Sequence, residues 1–203
     1  MPPAIKVLHK ANTQKMLNFA INNCKMIEVD VSYCPHKNSL VLCHDPETLV
    51  IQGESDKMLL LSTLKNYSLP VILDCKVTPS YFKQFLTLLH KFLTENTGQE
   101  FYICSFDHYF IYGLLDLGKL SNNHYYGLIC GSQQYKHFIF NNSKKLLDFM
   151  SLSKRCYHEY LSRHGNKNKM IFVYTLQPGD KITNHHNLAG VIVDDLLITD
   201  YLS

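Results

Sequence analysis

The chain has 203 residues, 46% of them hydrophobic, with seven cysteines and a formal net charge of +3. That length and apolar content suit one domain over 1–203 with a sizeable core, and no low-complexity stretch, Pro/Gly linker or charge block divides it. Lys and Arg are scattered and the net charge is small, which argues against nucleic acid as a partner and leaves an anionic small molecule or a lipid headgroup.

The opening residues Met1-Pro2-Pro3-Ala4-Ile5-Lys6-Val7-Leu8 lack the apolar segment of a signal peptide. No run approaches the roughly 18 apolar residues of a membrane span. The cysteines are dispersed without a CxxC pair, the usage of free thiols in a reducing compartment. A cytoplasmic protein is the expectation, and the sequons Asn66-Tyr67-Ser68 and Asn141-Asn142-Ser143 are read as chance.

Short β-rich runs alternate with amphipathic segments, the rhythm of βα units on a parallel sheet. Strands are predicted over 5–9, 26–31, 70–75, 101–105, 125–130, 147–152, 170–175 and 189–193. Between them, Asn12-Thr13 caps a helix over 14–22, and 57–65, 81–93, 107–117 and 154–163 read as further helices. The stretch 177–188 carries a short helix or none. Residues 40–44 are left over as the returning arm of a hairpin, an excursion above the second strand and not a ninth stave. The sum is a compact TIM (β/α)8 barrel, near the low end of length for that fold, whose functional residues belong at the carboxyl ends of its strands.

Those ends carry charge. Glu28 and Asp30, one residue apart in Ile27-Glu28-Val29-Asp30-Val31, point to the same side of a strand. A reversal at His36-Lys37-Asn38-Ser39 brings His44 back toward Asp30, since both are equidistant from residue 37. The first strand ends in His9-Lys10 and the third in Asp74-Cys75-Lys76. Asp74, inside an apolar run, needs a cation, either a metal or Lys76. Three carboxylates at one mouth repel, and a bound Mg²⁺ or Ca²⁺ relieves the repulsion while taking phosphate oxygens. Two imidazoles then serve as base and acid, and Lys76 stabilises charge on the phosphate.

The ordered set His9, Glu28-x-Asp30, His44-Asp45-Pro46, Asp74-x-Lys76, Ser105-Phe106-Asp107-His108 and Gly190-Val191-Ile192-Val193-Asp194 resembles the glycerophosphodiester phosphodiesterase superfamily over nearly the whole chain. The resemblance implies a TIM barrel with a divalent metal held by Glu28, Asp30 and Asp74, and His9 and His44 as catalytic residues. The start His9-Lys10-Ala11-Asn12 and the pair Asp74-x-Lys76 look most like the menorin family and the sphingomyelinase D/phospholipase D toxins. Tyr174, in Val173-Tyr174-Thr175 where those relatives carry Trp, walls the pocket. Lys10 and Asn12 join it as expected substrate contacts, with a solvated rim and a helix cap as their plainer readings.

A metal-dependent phosphoric diester hydrolase or lyase follows, acting as a monomer on glycerophosphodiesters or on lysophospholipid and sphingophospholipid headgroups. Peripheral membrane contact is compatible with this reading. The alternative is a non-catalytic, menorin-like barrel that binds a phosphorylated ligand or a protein. A sugar hydrolase working by paired carboxylates fits the two histidines poorly. His185-His186 reads as a solvated loop, Ser105-Phe106-Asp107-His108 as cap and strand-end packing, and Phe138-Ile139-Phe140 and the run 109–112 as core or helix-face packing. Asp194-Asp195 closes the last strand, as a cap or as a supporting hydrogen-bond partner.

Overall fold

The computed structural model describes residues 4–131, 147–164 and 169–194. In chain order the strands are β1 (Ile5–Leu8), β2 (Ile27–Cys34), β3 (Ser39–Leu42), β4 (Leu59–Leu60), β5 (Val71–Lys76), β6 (Phe101–Ser105), β7 (His124–Cys130), β8 (Phe149–Ser153), β9 (Met170–Leu176) and β10 (Leu188–Val193). The helices are α1 (Gln14–Asn23), α2 (Pro46–Ile51), α3 (Phe82–Glu95), α4 (His108–Asp116) and α5 (Lys154–His164). Eight strands pair in parallel in the order β1, β10, β9, β8, β7, β6, β5, β2, and a β1–β2 pairing at Leu8 and Ile27 closes the ring. The predicted (β/α)8 barrel is the fold.

Alternation along the staves sorts the side chains into two apolar layers. Val7, Met26, Ile72, Tyr102, Cys104, Ile129, Phe149, Phe172 and Ile192 fill the barrel interior. Their neighbours, among them Leu8, Val29, Val31, Leu73, Ile103 and Val191, face outward into the larger core under the helices. Gly127 makes room for this filling. A Cβ there would lie 2.6–2.7 Å from the ring of Phe149, which is itself wedged edge-on against Tyr102 and Phe172. Gly127→Ala is expected to cost about 1–3 kcal/mol, the usual penalty of overpacking, measured by urea unfolding.

Helix starts follow side-chain chemistry. Thr13 accepts from Met16 N–H, Asp107 from Phe110 N–H and Asp45 from Thr48 N–H, each satisfying an otherwise unpaired first-turn donor. Pro46 stands in the first turn of α2, where its missing N–H costs nothing. Among the described residues the stretch 177–187 holds no helix. All seven cysteines are free thiols, six of them buried. No helix among the described residues is long and apolar enough to cross a membrane.

Three local expectations need correction. The stretch 57–65 is not one helix: it splits into β4, pairing antiparallel with β3, and a 3₁₀ segment over Leu61–Asn66. Leucines at 59, 60, 61 and 64 satisfied a helical period, yet Leu60 is partly exposed and Leu61 and Leu64 alone are fully buried. The hairpin is shifted by one residue. Val31 pairs with Leu42 and Cys34 with Ser39, so Asp30 faces Cys43, whose N–H reaches the Asp30 carbonyl at 3.0 Å. A four-residue connection, a 3₁₀ turn over Pro35–Lys37 closed by Asn38 in the left-handed region, sets this even register. Tyr109, expected to pack, is 84% exposed, whereas Phe110 and Ile111 are buried. Phe138-Ile139-Phe140, the sequon at 141–143 and Asp195 lie outside the described residues.

Candidate active site

At the carboxyl end of the barrel the inward positions turn from apolar to ionic. β2 and β5 run side by side with Glu28 opposite Ile72 and Asp30 opposite Asp74. The period-two rule places Glu28, Asp30 and Asp74 together on the inner face, and one oxygen from each lies within 4.8 Å of the others. Glu28 and Asp30 are 2% and 1% exposed.

Each carboxylate has one oxygen that accepts a hydrogen bond and one that accepts none. Glu28 Oε2 accepts from the Lys10 backbone N–H at 2.7 Å, a contact made possible because Lys10 adopts a φ of 51°, uncommon for a residue with a Cβ. Asp30 Oδ2 accepts from Asn12 Nδ2 at 2.8 Å, and Asn12 Oδ1 accepts the Asp30 N–H at 2.9 Å. Asp74 Oδ2 accepts from Lys76 Nζ at 2.6 Å. Glu28 Oε1, Asp30 Oδ1 and Asp74 Oδ1 are buried without a hydrogen bond. The Lys76 ammonium stands 3.1 Å from Asp30 Oδ1 as an ion pair without hydrogen-bond alignment.

The electrostatics match this crowding. Burial, then repulsion from Asp30 and Asp74, pushes the Glu28 carboxyl well above its ordinary range. Burial also raises Asp74, against the pull of Lys76. Burial alone would lower the Lys76 ammonium, but Asp74 and Asp30 outweigh it and hold the charge more firmly than usual. One lysine facing three carboxylates leaves a negative excess. Three converging carboxylates, each with a buried oxygen that makes no hydrogen bond and only that of Asp30 ion-paired with Lys76, are the donor set of a hard divalent cation, so the residues present fit such an ion.

The two histidines flank the cluster. His9, one residue past β1, lines a narrow cavity of about 40 Å³ with Glu28, Asp74, Ser151 and Tyr174. His44, on the exposed loop after β3, lines a wider cavity of about 420 Å³ with Lys76, Tyr33 and Tyr81. Ser32 Oγ steadies that loop, donating to the Cys43 carbonyl at 2.7 Å with the His44 carbonyl at 3.2 Å.

No protein-family model matches the chain. No curated protein matches it either. Among solved structures it is similar to an Oleispira antarctica phosphodiesterase in complex with the product sn-glycerol-3-phosphate, with a TM-score of 0.67 and 12% identity over 95% of this chain and 93% of that one. The two chains share a fold.

Within that fold the side chains expected to touch substrate divide. Lys10 contributes its main-chain N–H to Glu28 while its side chain lies exposed at the rim. Asn12 spends its amide on Asp30, and the helix cap falls to Thr13 instead. Tyr174 lines the narrow cavity, edge-on to Phe106. Phe106 itself was read as packing, yet it is 42% exposed, borders both cavities and lies under the Lys76 ammonium at 5.9 Å. Continuing the period-two count past Cys104 would have pointed to it. Gln177 was not singled out at all. It donates to Asp194 Oδ2 at 3.3 Å, a contact made across two strand ends.

Proposed function

We propose that the chain is a metal-dependent phosphodiesterase of the glycerophosphodiester phosphodiesterase-like type, cleaving a small phosphodiester or a lipid headgroup at this mouth. The observation that carries the reading is the convergence of Glu28, Asp30 and Asp74 with buried oxygens that accept no hydrogen bond, flanked by His9 and His44. A likeness in fold to a phosphodiesterase supports it. Glu28, Asp30 and Asp74 would hold Mg²⁺ or Ca²⁺. When bound, the ion neutralises the carboxylates and polarises the phosphoryl oxygens.

The chain's own residues supply the rest. One imidazole takes the proton of the attacking oxygen, from water or from a hydroxyl of the substrate, and the other returns a proton to the leaving oxygen. Lys76, held charged by Asp74 and Asp30, stabilises the non-bridging oxygens at the transition state. Phe106 and Tyr174 present apolar surface beside the reacting group.

The test is turnover of glycerophosphocholine, lysophosphatidylcholine and sphingomyelin with Mg²⁺ or Ca²⁺ and with chelator, followed by ³¹P NMR. Cation-dependent release of a phosphomonoester or a cyclic phosphate is the expected result. The two products separate attack by water from attack by a substrate hydroxyl. Saturable binding without turnover on any substrate would replace the enzyme with a binding barrel.

A further inference from the structure

The wide cavity does not end at the mouth. Pro46, Glu47 and Tyr81, which wall it on one side, also wall a second cavity of about 270 Å³ that runs on between the tip of the β2–β3 hairpin and α2. In α2 the residues at 46, 47, 50 and 51 share one stripe, because positions three and four apart are neighbours on a helix. Pro46, Val50 and Ile51 make most of that stripe apolar, and Cys34 and Pro35 line the cavity from the hairpin. Ile51 is 85% exposed, the most exposed large hydrophobic side chain among the described residues. A lone exposed isoleucine needs no explanation, but this one ends a run of apolar walls continuous with the mouth.

The walls of this trough are fixed from behind. Tyr33 Oη donates to Asn38 Oδ1 at 2.8 Å inside the hairpin, and its ring packs on Tyr81 with centroids 5.0 Å apart. Asp45 holds the first turn of α2, accepting from the Thr48 N–H and hydroxyl. The trough is therefore formed before a ligand arrives, which spares the ordering cost that weakens flexible sites. Charge gives the ligand its direction. Lys76 and His44 stand at the mouth end, whereas no lysine or arginine lines the trough and its one carboxylate, Glu47, sits at the junction.

We infer that the trough between the hairpin tip and α2 is a subsite for one alkyl chain, so that the mouth takes a single-chain lipid phosphodiester. Its phosphate lies by Lys76 and His44, and its chain runs over Tyr81 to Ile51. The inference rests on the phosphodiesterase reading for the place of the phosphate. A cavity of about 270 Å³ lies just under the roughly 300–1,000 Å³ of pockets that bury drug-sized ligands, which is room for one chain and not for two. Removing the chain and the apolar walls from water is the driving force. Glu47 repels an anion at the junction, so the phosphate stays with Lys76 and a free fatty acid is a poor occupant.

The test is a chain-length series. Hexyl-, octyl- and decylphosphocholine are phosphodiesters with one alkyl chain, and each is titrated below its micelle concentration against the unsubstituted protein with Mg²⁺, before turnover is measurable. Affinity is expected to rise about two- to fourfold per added methylene until the trough is full, the upper figure being full burial of each group. Methyl NMR resonances of Val50 and Ile51 shift with decylphosphocholine and stay in place with glycerophosphocholine. Ile51→Asp, which sets a charge at the far end, flattens the series. Because Ile51 is exposed, that variant melts close to the parent, so a flattened series reads as lost chain binding. A flat series in the unsubstituted protein, or a rise that Ile51→Asp leaves unchanged, overturns the inference. A flat series with self-association that Ile51→Asp abolishes overturns it too, and gives the face to a second copy of the chain. The phosphodiesterase reading stands or falls separately, on whether glycerophosphocholine is cleaved.

Discussion

Replacing His44 or His9 with alanine lowers kcat on the responsive phosphodiester by roughly 10²- to 10⁴-fold each, the contribution of a positioned acid or base. The two losses are not expected to multiply. Acid and base act in one step, and once either is missing the other has less to assist. His44→Ala is the cleaner variant, because His44 is exposed on its loop and the loop is held through backbone carbonyls by Ser32. Its melting temperature stays close to that of the parent, so lost turnover reads as lost chemistry. Steady-state kinetics beside a thermal melt checks this. Full activity in His44→Ala would remove this histidine from the mechanism.

The second large effect concerns the carboxylates. Asp30→Asn and Glu28→Gln are expected to abolish binding of Mg²⁺ or Ca²⁺, read by calorimetry and by the loss of cation-induced thermal stabilisation. For the unsubstituted protein at a cation concentration 100 times Kd, that stabilisation amounts to about 2.7 kcal/mol. Both substitutions keep side-chain shape, and in Glu28→Gln the amide oxygen could still accept from the Lys10 N–H that the carboxylate now engages. They also remove one of three mutually repelling buried carboxylates. The cation-free Glu28→Gln variant should therefore melt no lower than the parent, because the charge that is lost there is one that burial and repulsion already disfavour. A variant that keeps parent-like cation affinity would show that the trio is satisfied by Lys76 alone.

Much of this was legible before any coordinates. Runs such as Val71-Ile72-Leu73 and Phe101-Tyr102-Ile103-Cys104 announce buried staves by composition, and all eight expected barrel strands are present within two or three residues at each end. Glu28 and Asp30 were readable as a pair because a strand's two-residue period puts positions i and i+2 on one face whatever surrounds them. Asp74 was readable because an unpaired acid in an apolar run needs a partner.

Other features had no local signal. The hairpin register turned on whether the connection holds three or four residues, which a polar stretch of His, Lys, Asn and Ser does not decide. The helical reading of 57–65 failed because a two-residue strand and a 3₁₀ turn show almost the same leucine spacing as one amphipathic helix. Asn12 was read from its place before a helix. Its actual partner, Asp30, lies 18 residues away on the neighbouring strand.

Sequence by itself determined the stave pattern, the inward acids of β2 and β5, and the chemical type of the mouth, because each depends on side-chain identity and a short fixed period. Tertiary structure alone decided which groups meet across the seam. Contacts between His9 and Asp194, 185 positions apart, and between Gln177 and Asp194 exist because the ring closes with Leu8 level with Val193. Register at closure is a collective property of all eight strands, their tilt and their stagger, and no single segment encodes it.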